Sequence, residues 1–145
     1  MMQEIPLIIL AEDDDGHARL IRHGLKKAGC PDPVLRFCNG QEILDFVLSP
    51  QGLEQPSKIL LLDINMPRLD GVQVLRRLRN DRQFDPMPIV MITITDDPDE
   101  SERCLRMGCN LYISKSMDSA MFNKIILEFP GYSPSKRLNF RPIRL

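Results

Sequence analysis

Five polar side chains each stand at the end of a short apolar run: Glu12 and Asp13 after the first run, then Asp63, Thr93 and Lys115 after later ones. Short apolar runs bounded by turn residues are typical of buried strands. In a parallel sheet the carboxyl ends of all strands lie along one edge, where open α/β sheets bind their ligands. We therefore expect three carboxylates, one hydroxyl and one ammonium group to converge at that edge.

The three carboxylates predict a cation site. Carboxylates held close together repel each other, and a hard divalent cation relieves the repulsion. Mg²⁺ prefers oxygen ligands and usually takes one or two carboxylates, so Asp13 and Asp63 are predicted as direct ligands and Glu12 as a ligand through water. The alternative is that these acids are helix caps and solvated turn residues. That alternative fits Asp14 and Asp15 well, because a helix begins there.

Strands and helices alternate along the chain. The predicted strands are Pro6–Leu10, Val34–Cys38, Ile59–Leu62, Ile89–Ile94 and Leu111–Ser114. The predicted helices are His17–Ala28, Gly40–Leu48, Val72–Arg79, a helix that follows the acidic loop Asp96–Glu102 and ends near Gly108, and Ser119–Phe129. Ser49–Ser57 holds two prolines and a glycine and is predicted as a loop. Five strands, each followed by a helix, predict a doubly wound five-stranded parallel sheet covered on both faces.

Composition places the chain among ordinary globular proteins. Its 145 residues are 43% hydrophobic and 27% charged, with a net charge of −1 that gives no indication of nucleic-acid or membrane binding. One domain is predicted over residues 1–130, and residues 131–145 form a basic, flexible or surface-packed tail. No signal peptide or membrane span is predicted, so a cytoplasmic location is expected. The four cysteines form no metal-binding spacing and are predicted as buried or half-buried thiols.

Taken together, these motifs resemble those of response-regulator receiver domains, the phosphoacceptor half of two-component signalling. The resemblance covers about residues 5–130 and rests on Glu12-Asp13, Asp63 with Met66-Pro67 and Asp70-Gly71, Thr93, Tyr112 and Lys115. Within the family, the loop Ser49–Ser57 and the pair Lys115-Ser116 are most similar to the small single-domain regulators associated with bacterial phytochromes.

The resemblance implies a mechanism. Asp63 would accept a phosphoryl group from the phosphohistidine of a sensor histidine kinase, with a bacterial phytochrome as a candidate kinase. Mg²⁺, or Mn²⁺, would be held by Asp13, Asp63 and the backbone carbonyl of Asn65, with Glu12 acting through water. Lys115 and Thr93 would contact phosphoryl oxygens. The protein would then be a signalling phosphoacceptor that assists its own phosphorylation and dephosphorylation, rather than an enzyme.

The resemblance also implies a switch. Once Thr93 moves toward the phosphoryl group, Tyr112 would rotate inward and change a surface made by the fourth predicted helix, the fifth strand and the fifth helix. The same surface is a candidate interface for a homodimer, although the sequence does not fix the oligomeric state. Neither nucleic acid nor membrane is an expected partner.

Two positions depart from the family pattern. Ser116 follows Lys115 where the family usually has proline, often through a cis bond. A cis bond at a non-proline residue costs roughly 3 kcal/mol, so we expect one here only if its surroundings enforce it. Ile94 follows Thr93 where the family usually has a small residue. Ile94 is expected to narrow the path to Asp63 and to slow small phosphodonors and attacking water.

Several rival functions are weighed against the same residues. Aspartyl phosphatases of the haloacid dehalogenase type carry D-x-D on the first strand, whereas the first strand here ends in EDDD and Asp63 stands alone on the third. A receiver-like interaction module would normally lack one of the pocket residues, and none of them is missing from this sequence. A DNA-binding regulator needs an output domain, and only the short tail 131–145 follows the predicted domain here. A phosphorelay intermediate and a receiver fragment of a larger regulator remain open alternatives.

Overall fold

A parallel sheet forms the centre of the protein. The computed structural model describes residues 7–27, 34–94, 97–114 and 143–144. The predicted apolar runs form strands β1 (Leu7–Ala11), β2 (Leu35–Phe37), β3 (Lys58–Asp63), β4 (Ile89–Thr93) and β5 (Leu111–Ser114). These strands pair in parallel in the order β2-β1-β3-β4-β5. This is a doubly wound order, so the predicted fold class and the five predicted parallel strands are confirmed.

A short sixth strand joins the sheet at the β5 edge. This strand, β6 (Ile143–Arg144), pairs in parallel with β5, with Tyr112 opposite Arg144. The sequence predicts only an extension over residues 131–145, because two residues are too few to show a strand periodicity.

Four of the five predicted helices are present: α1 (Asp15–Lys27), α2 (Gly40–Val47), α4 (Gly71–Arg79) and α5 (Pro98–Arg106). The first three lie within two residues of the expected bounds. The loop predicted over Asp96–Glu102 is wrong in part, because α5 already begins at Pro98, where proline supplies the preset φ of a first helical residue and Asp97 caps the helix.

The fifth predicted helix, Ser119–Phe129, lies outside the described residues, as do Lys115 and the Lys115–Ser116 bond. None of the helices in the described part of the chain is long and apolar enough to span a membrane.

The loop predicted over Ser49–Ser57 is wrong in part, because it contains a short helix, α3 (Pro50–Glu54). The Ser49 hydroxyl oxygen accepts a hydrogen bond from the Gly52 N–H at 3.1 Å, and Pro50 supplies the preset φ of a first helical residue. At the other end, Lys58 Nζ donates to the carbonyl of Gly52 at 2.9 Å. Proline and glycine were taken as loop signals, whereas here they begin a capped turn of helix.

The core lies on both faces of the sheet. Side chains along β3 alternate between two clusters: Leu60 and Leu62 pack under α2 and α4, and Ile59 and Leu61 pack with α1 on the other face. All four are completely buried. Burial of each such side chain stabilises the fold by about 1.5–3 kcal/mol. Because both faces of β3 are covered, its sequence is apolar throughout instead of alternating.

The cysteines of the described core are structural. Cys104 and Cys109 are fully buried, as predicted. The prediction is wrong for Cys38, which is exposed because it lies just beyond β2 at the edge of the sheet. Burial raises the pKa of Cys104 to about 11 and that of Cys109 to about 12. Both thiols are therefore neutral at physiological pH and unreactive as nucleophiles.

Candidate functional site

An acidic cluster lies at the carboxyl edge of the sheet. Glu12, Asp13 and Asp63 each offer a carboxylate oxygen, and these atoms all lie within 4.8 Å of one another. Glu12 is 1% exposed and Asp63 is 4% exposed, whereas Asp13 is open to solvent. The structure therefore brings together the three carboxylates singled out by their positions after β1 and at the end of β3.

The cluster fits a hard divalent cation. Its donors are all carboxylate oxygens, the ligands that Mg²⁺ and Mn²⁺ prefer. Two of the three carboxylates are buried, where like charges repel most strongly and a cation offsets that repulsion best. Asn65 lies next to the cluster, and its backbone N–H is 3.4 Å from Asp63 Oδ1.

The chain leaves β3 through a strained turn. The Leu69 N–H donates to the Pro67 carbonyl at 2.9 Å, and Arg68 between them has a φ of 70°. A hydrogen bond across three residues, with a positive φ at the centre, defines the rarer and more strained kind of γ-turn. Strain of this sort persists where surrounding contacts enforce it, and it is common near functional sites.

The start of α4 fixes the other end of that loop. The Asp70 carboxylate accepts from the Gln73 N–H, and the Gln73 side-chain oxygen accepts from the Asp70 N–H, both at 2.9 Å, which forms a capping box. The Gly71 N–H donates to the Ile64 carbonyl at 2.8 Å. A Cβ atom at Gly71 would lie only 2.3 Å from the Asp63 carbonyl oxygen, so the backbone bearing Asp63 requires glycine here.

A second contact that holds the loop between β3 and α4 was not predicted from the sequence. The Gly40 N–H, at the start of α2, donates to the Leu69 carbonyl at 3.2 Å. A Cβ atom at Gly40 would lie 2.2 Å from that same oxygen. Asn39 caps the helix by accepting from the Glu42 N–H at 2.9 Å. The Asn-Gly pair was a visible signal for a helix start, but it does not show which loop that start would touch.

Thr93 ends β4 beside the cluster. It is fully buried and pairs with Ser114 at the end of β5. Ile94, the next residue, is 59% exposed, which places a bulky apolar side chain at the surface directly after Thr93. Lys115 follows Ser114 in the chain but lies outside the described residues.

Tyr112 is held inside the fold by a residue that the sequence did not single out. The ring is 1% exposed, and the hydroxyl donates to Glu100 Oε1 on α5 at 2.8 Å. The ring is therefore already buried without a phosphoryl group on Asp63, so the predicted inward rotation from an exposed position is wrong. Glu100 belongs to the acidic segment Asp96–Glu102, which the sequence predicts as a loop. The hydrogen bond shows that one of its carboxylates reaches back to the strand.

His17 also lies close to the cluster. Its Nδ1 is 3.9 Å from Glu12 Oε1 and 3.8 Å from Asp14 Oδ1. Asp14 Oδ1 also accepts from the His17 N–H at 2.8 Å, which caps the first turn of α1. Asp14 is thus a cap, as its sequence position suggests, and His17 belongs to the surroundings of the acidic cluster.

Comparison with known families decides the assignment. The sequence model of the protein family described as 'Response regulator receiver domain' matches residues 8–127 of the chain. The chain belongs to the receiver-domain family. Receiver domains are the signalling phosphoacceptors of two-component systems, and phosphorylation and Mg²⁺ binding are typical of them.

Curated relatives include small regulators. This receiver domain is 29% identical over 108 residues to a CheY homologue of Campylobacter jejuni, covering 74% of this chain and 79% of the relative. It is 27% identical over 124 residues to the polar-differentiation regulator DivK of Brucella anthropi, covering 86% of this chain and 95% of the relative.

Solved structures share the fold. A receiver domain from Rhodospirillum rubrum superposes with a TM-score of 0.72 at 30% identity, covering 89% of this chain and 93% of that one. The bacteriophytochrome response regulator AtBRR gives a TM-score of 0.70 at 26% identity, with coverages of 85% and 91%. The phosphorylated cyanobacterial phytochrome regulator RcpA gives 0.71 at 23% identity, with coverages of 92% and 93%.

Proposed function

We propose that this receiver domain is a response regulator that accepts a phosphoryl group on Asp63 from the phosphohistidine of a sensor kinase. The observation that carries the proposal is the position of Asp63. It is nearly buried at the end of β3, and its carboxylate lies within 4.8 Å of those of Glu12 and Asp13. Family membership supports the same reaction, since receiver domains take phosphoryl groups from histidine kinases.

The transfer is a substitution at phosphorus. A carboxylate oxygen of Asp63 forms the new P–O bond while the P–N bond of the phosphohistidine breaks, and the imidazole nitrogen leaves with the electron pair. The product is an acyl phosphate on Asp63. Attack by water on that phosphorus later releases inorganic phosphate and restores the carboxylate.

Asp13 and Asp63 hold a Mg²⁺ or Mn²⁺ ion directly in this proposal, with the Asn65 carbonyl as a further ligand and Glu12 acting through water. When bound, the ion neutralises the negative charge that gathers during transfer. The all-oxygen donor set supports this choice of metal.

Thr93 and Lys115 serve the phosphoryl group itself. The buried position of Thr93 at the end of β4 supports a hydroxyl that turns to donate to a phosphoryl oxygen. Lys115 contributes a compact positive charge to another oxygen, and this role rests on the motif because the residue lies outside the described part of the chain.

Tyr112 couples the site to a surface for partners. Its hydrogen bond to Glu100 links β5 to α5. Thr93 lies opposite Ser114, two residues after Tyr112 on β5, so a change at Thr93 would pass along β5 to that helix. The output surface comprises α5, β5 and the fifth predicted helix, and self-association through it belongs to the proposal. The aromatic NMR signals of Tyr112, assigned with Tyr112→Phe, are expected to shift on phosphorylation; unchanged signals would exclude this coupling.

The proposed partner is a sensor kinase of the phytochrome class, in the cytoplasm. The likeness to AtBRR, a bacteriophytochrome response regulator, supports this choice. A role as a phosphorelay intermediate is the second candidate. It is supported by the likeness to a segment of the osmosensing histidine protein kinase SLN1 of Saccharomyces cerevisiae, 27% identical over 132 residues and covering 91% of this chain but 11% of the kinase.

The test is phosphoryl transfer with mass spectrometry of the intact protein. Wild-type chain incubated with Mg²⁺ and a phosphorylated kinase should gain one acid-stable, base-labile phosphoryl group, and Asp63→Asn should gain none. Asp85→Asn is the matched control, because Asp85 is exposed near the opposite edge of the sheet. Labelling retained by Asp63→Asn would overturn the proposal.

A further inference from the structure

Arg36 on β2 forms hydrogen bonds with both ends of the acidic turn that follows β1. Its Nε donates to the backbone carbonyl of Glu12 at 2.9 Å, and its Nη1 donates to Asp15 Oδ1 at 2.8 Å. Asp13 lies between the two residues that are held. Because the guanidinium group is a rigid planar fork, the two hydrogen bonds tie the Glu12 backbone and the Asp15 side chain to β2, on either side of Asp13.

Sheet pairing alone does not position Asp13. The last paired residues of β1 and β2 are Ala11 and Phe37, and the Glu12 N–H still donates to the Phe37 carbonyl at 3.0 Å. Beyond Glu12 the turn leaves the sheet. Asp13 is exposed, so the direction of its carboxylate follows mainly from its own backbone. The contacts of Arg36 therefore extend the order of the sheet to a residue of the acidic cluster.

The same contacts contribute little to folding. The Asp15 side chain is 84% exposed, and an ion pair with so exposed a partner is weak. The third nitrogen, Nη2, is shielded from solvent and has no hydrogen-bond acceptor among the described residues. An unsatisfied buried donor disfavours the folded state. The effect of Arg36 is thus expected at the acidic turn more than in global stability.

We propose that Arg36 is a positioning residue for the cation site, holding the turn so that Asp13 faces Glu12 and Asp63. The proposal rests on the proposed function in taking the cluster as the cation site. The direction of the change in Mg²⁺ affinity tests the proposal, because the positive charge of Arg36 by itself repels a cation. Loss of the charge alone would tighten Mg²⁺ binding, whereas loss of the positioning contacts would weaken it.

The experiment is calorimetric titration of the full chain with Mg²⁺, comparing wild type, Arg36→Lys and Arg36→Gln. Lysine keeps the charge but cannot hold both acceptors with one fork. Both variants are expected to bind Mg²⁺ about tenfold more weakly, as for other residues that orient metal ligands. Arg22→Gln is the matched control, because Arg22 also donates to a main-chain carbonyl beside β2, that of Val34 at 2.6 Å, and it is expected to bind like wild type.

Thermal unfolding without and with Mg²⁺ supplies the second readout. The Mg²⁺-induced rise in the midpoint should shrink in both Arg36 variants, and if Arg36→Gln does not fold, Arg36→Lys carries the test. Tighter or unchanged binding in Arg36→Gln, or wild-type binding in Arg36→Lys, overturns the positioning role alone. Failure of the wild-type chain to bind Mg²⁺ overturns this inference together with the proposed metal dependence.

Discussion

The two ends of the sheet differ in how their charged side chains are compensated. At the amino end, the half-buried guanidinium group of Arg79 donates to the carbonyls of Phe84 at 2.6 Å, Met87 at 2.7 Å and Gly108 at 2.8 Å. It also donates to the side-chain oxygen of Asn110 at 2.9 Å. All four acceptors are neutral oxygens of the chain itself, so the fold satisfies this charge internally.

The carboxyl end gathers like charges instead. Two buried carboxylates and one exposed carboxylate lie within 4.8 Å of one another, and the loop that follows contains the strained turn at Arg68. Like charges this close repel one another, and a bound cation offsets that repulsion. One end of the sheet therefore satisfies its charge within the fold, whereas the other leaves its charges available for the proposed cation and phosphoryl group.

The largest expected effect on stability is at the amino end. Arg79→Met removes the donor from four oxygens at once, and we expect the free energy of unfolding to fall by about 3 kcal/mol. Burial already lowers the pKa of Arg79, opposed by the negative charge of nearby Asp85, yet arginine stays charged at any relevant pH. Urea unfolding gives the measurement.

Arg77→Met is the matched control for this change, because Arg77 is exposed on the same helix and its replacement should alter stability by less than about 0.5 kcal/mol. Below its unfolding temperature, Arg79→Met should still be phosphorylated. If the two variants prove equally stable, the amino end does not have the stabilising role described above.

A smaller effect of opposite sign is expected at the carboxyl end. Asp63→Asn removes one of the three like charges, so without Mg²⁺ the free energy of unfolding should rise by about 1 kcal/mol. Added Mg²⁺ should then stabilise the variant less than wild type. Asp45→Asn, an exposed change on α2, is the control. A loss of stability on Asp63→Asn would mean that its carboxylate supports the fold as well as the site.

The smallest expected effect concerns access to the acidic end. Ile94→Ala should shorten the half-life of the phosphorylated protein about threefold, a barrier change of ~0.7 kcal/mol, because water reaches the acyl phosphate more easily. Loss of phosphoryl label over time, with the kinase removed, gives the rate. Leu53→Ala trims another exposed apolar residue, on α3, and should leave the rate unchanged. Equal half-lives for Ile94→Ala and wild type would reject the access role.

The sequence was informative wherever a local rule acts. Apolar runs predicted all five strands within two residues, because a strand buried on both faces must be apolar throughout. The ends of those strands predicted which carboxylates meet, since parallel strands share one edge. The helix α3 was missed, because proline and glycine signal a turn without revealing whether its caps will form. The role of Lys115 stays a prediction.

Contacts between distant segments were decided only by the tertiary structure. Nothing local indicates that Arg36 reaches the Glu12 carbonyl, that Gly40 touches Leu69, or that Glu100 accepts from Tyr112. These partners are set by strand register and helix packing across the whole domain, which no residue spacing encodes. Local sequence patterns thus specify the elements and the acidic residues at their ends. Tertiary packing determined which other residues orient those acids, because orientation depends on atoms brought together from separate parts of the chain.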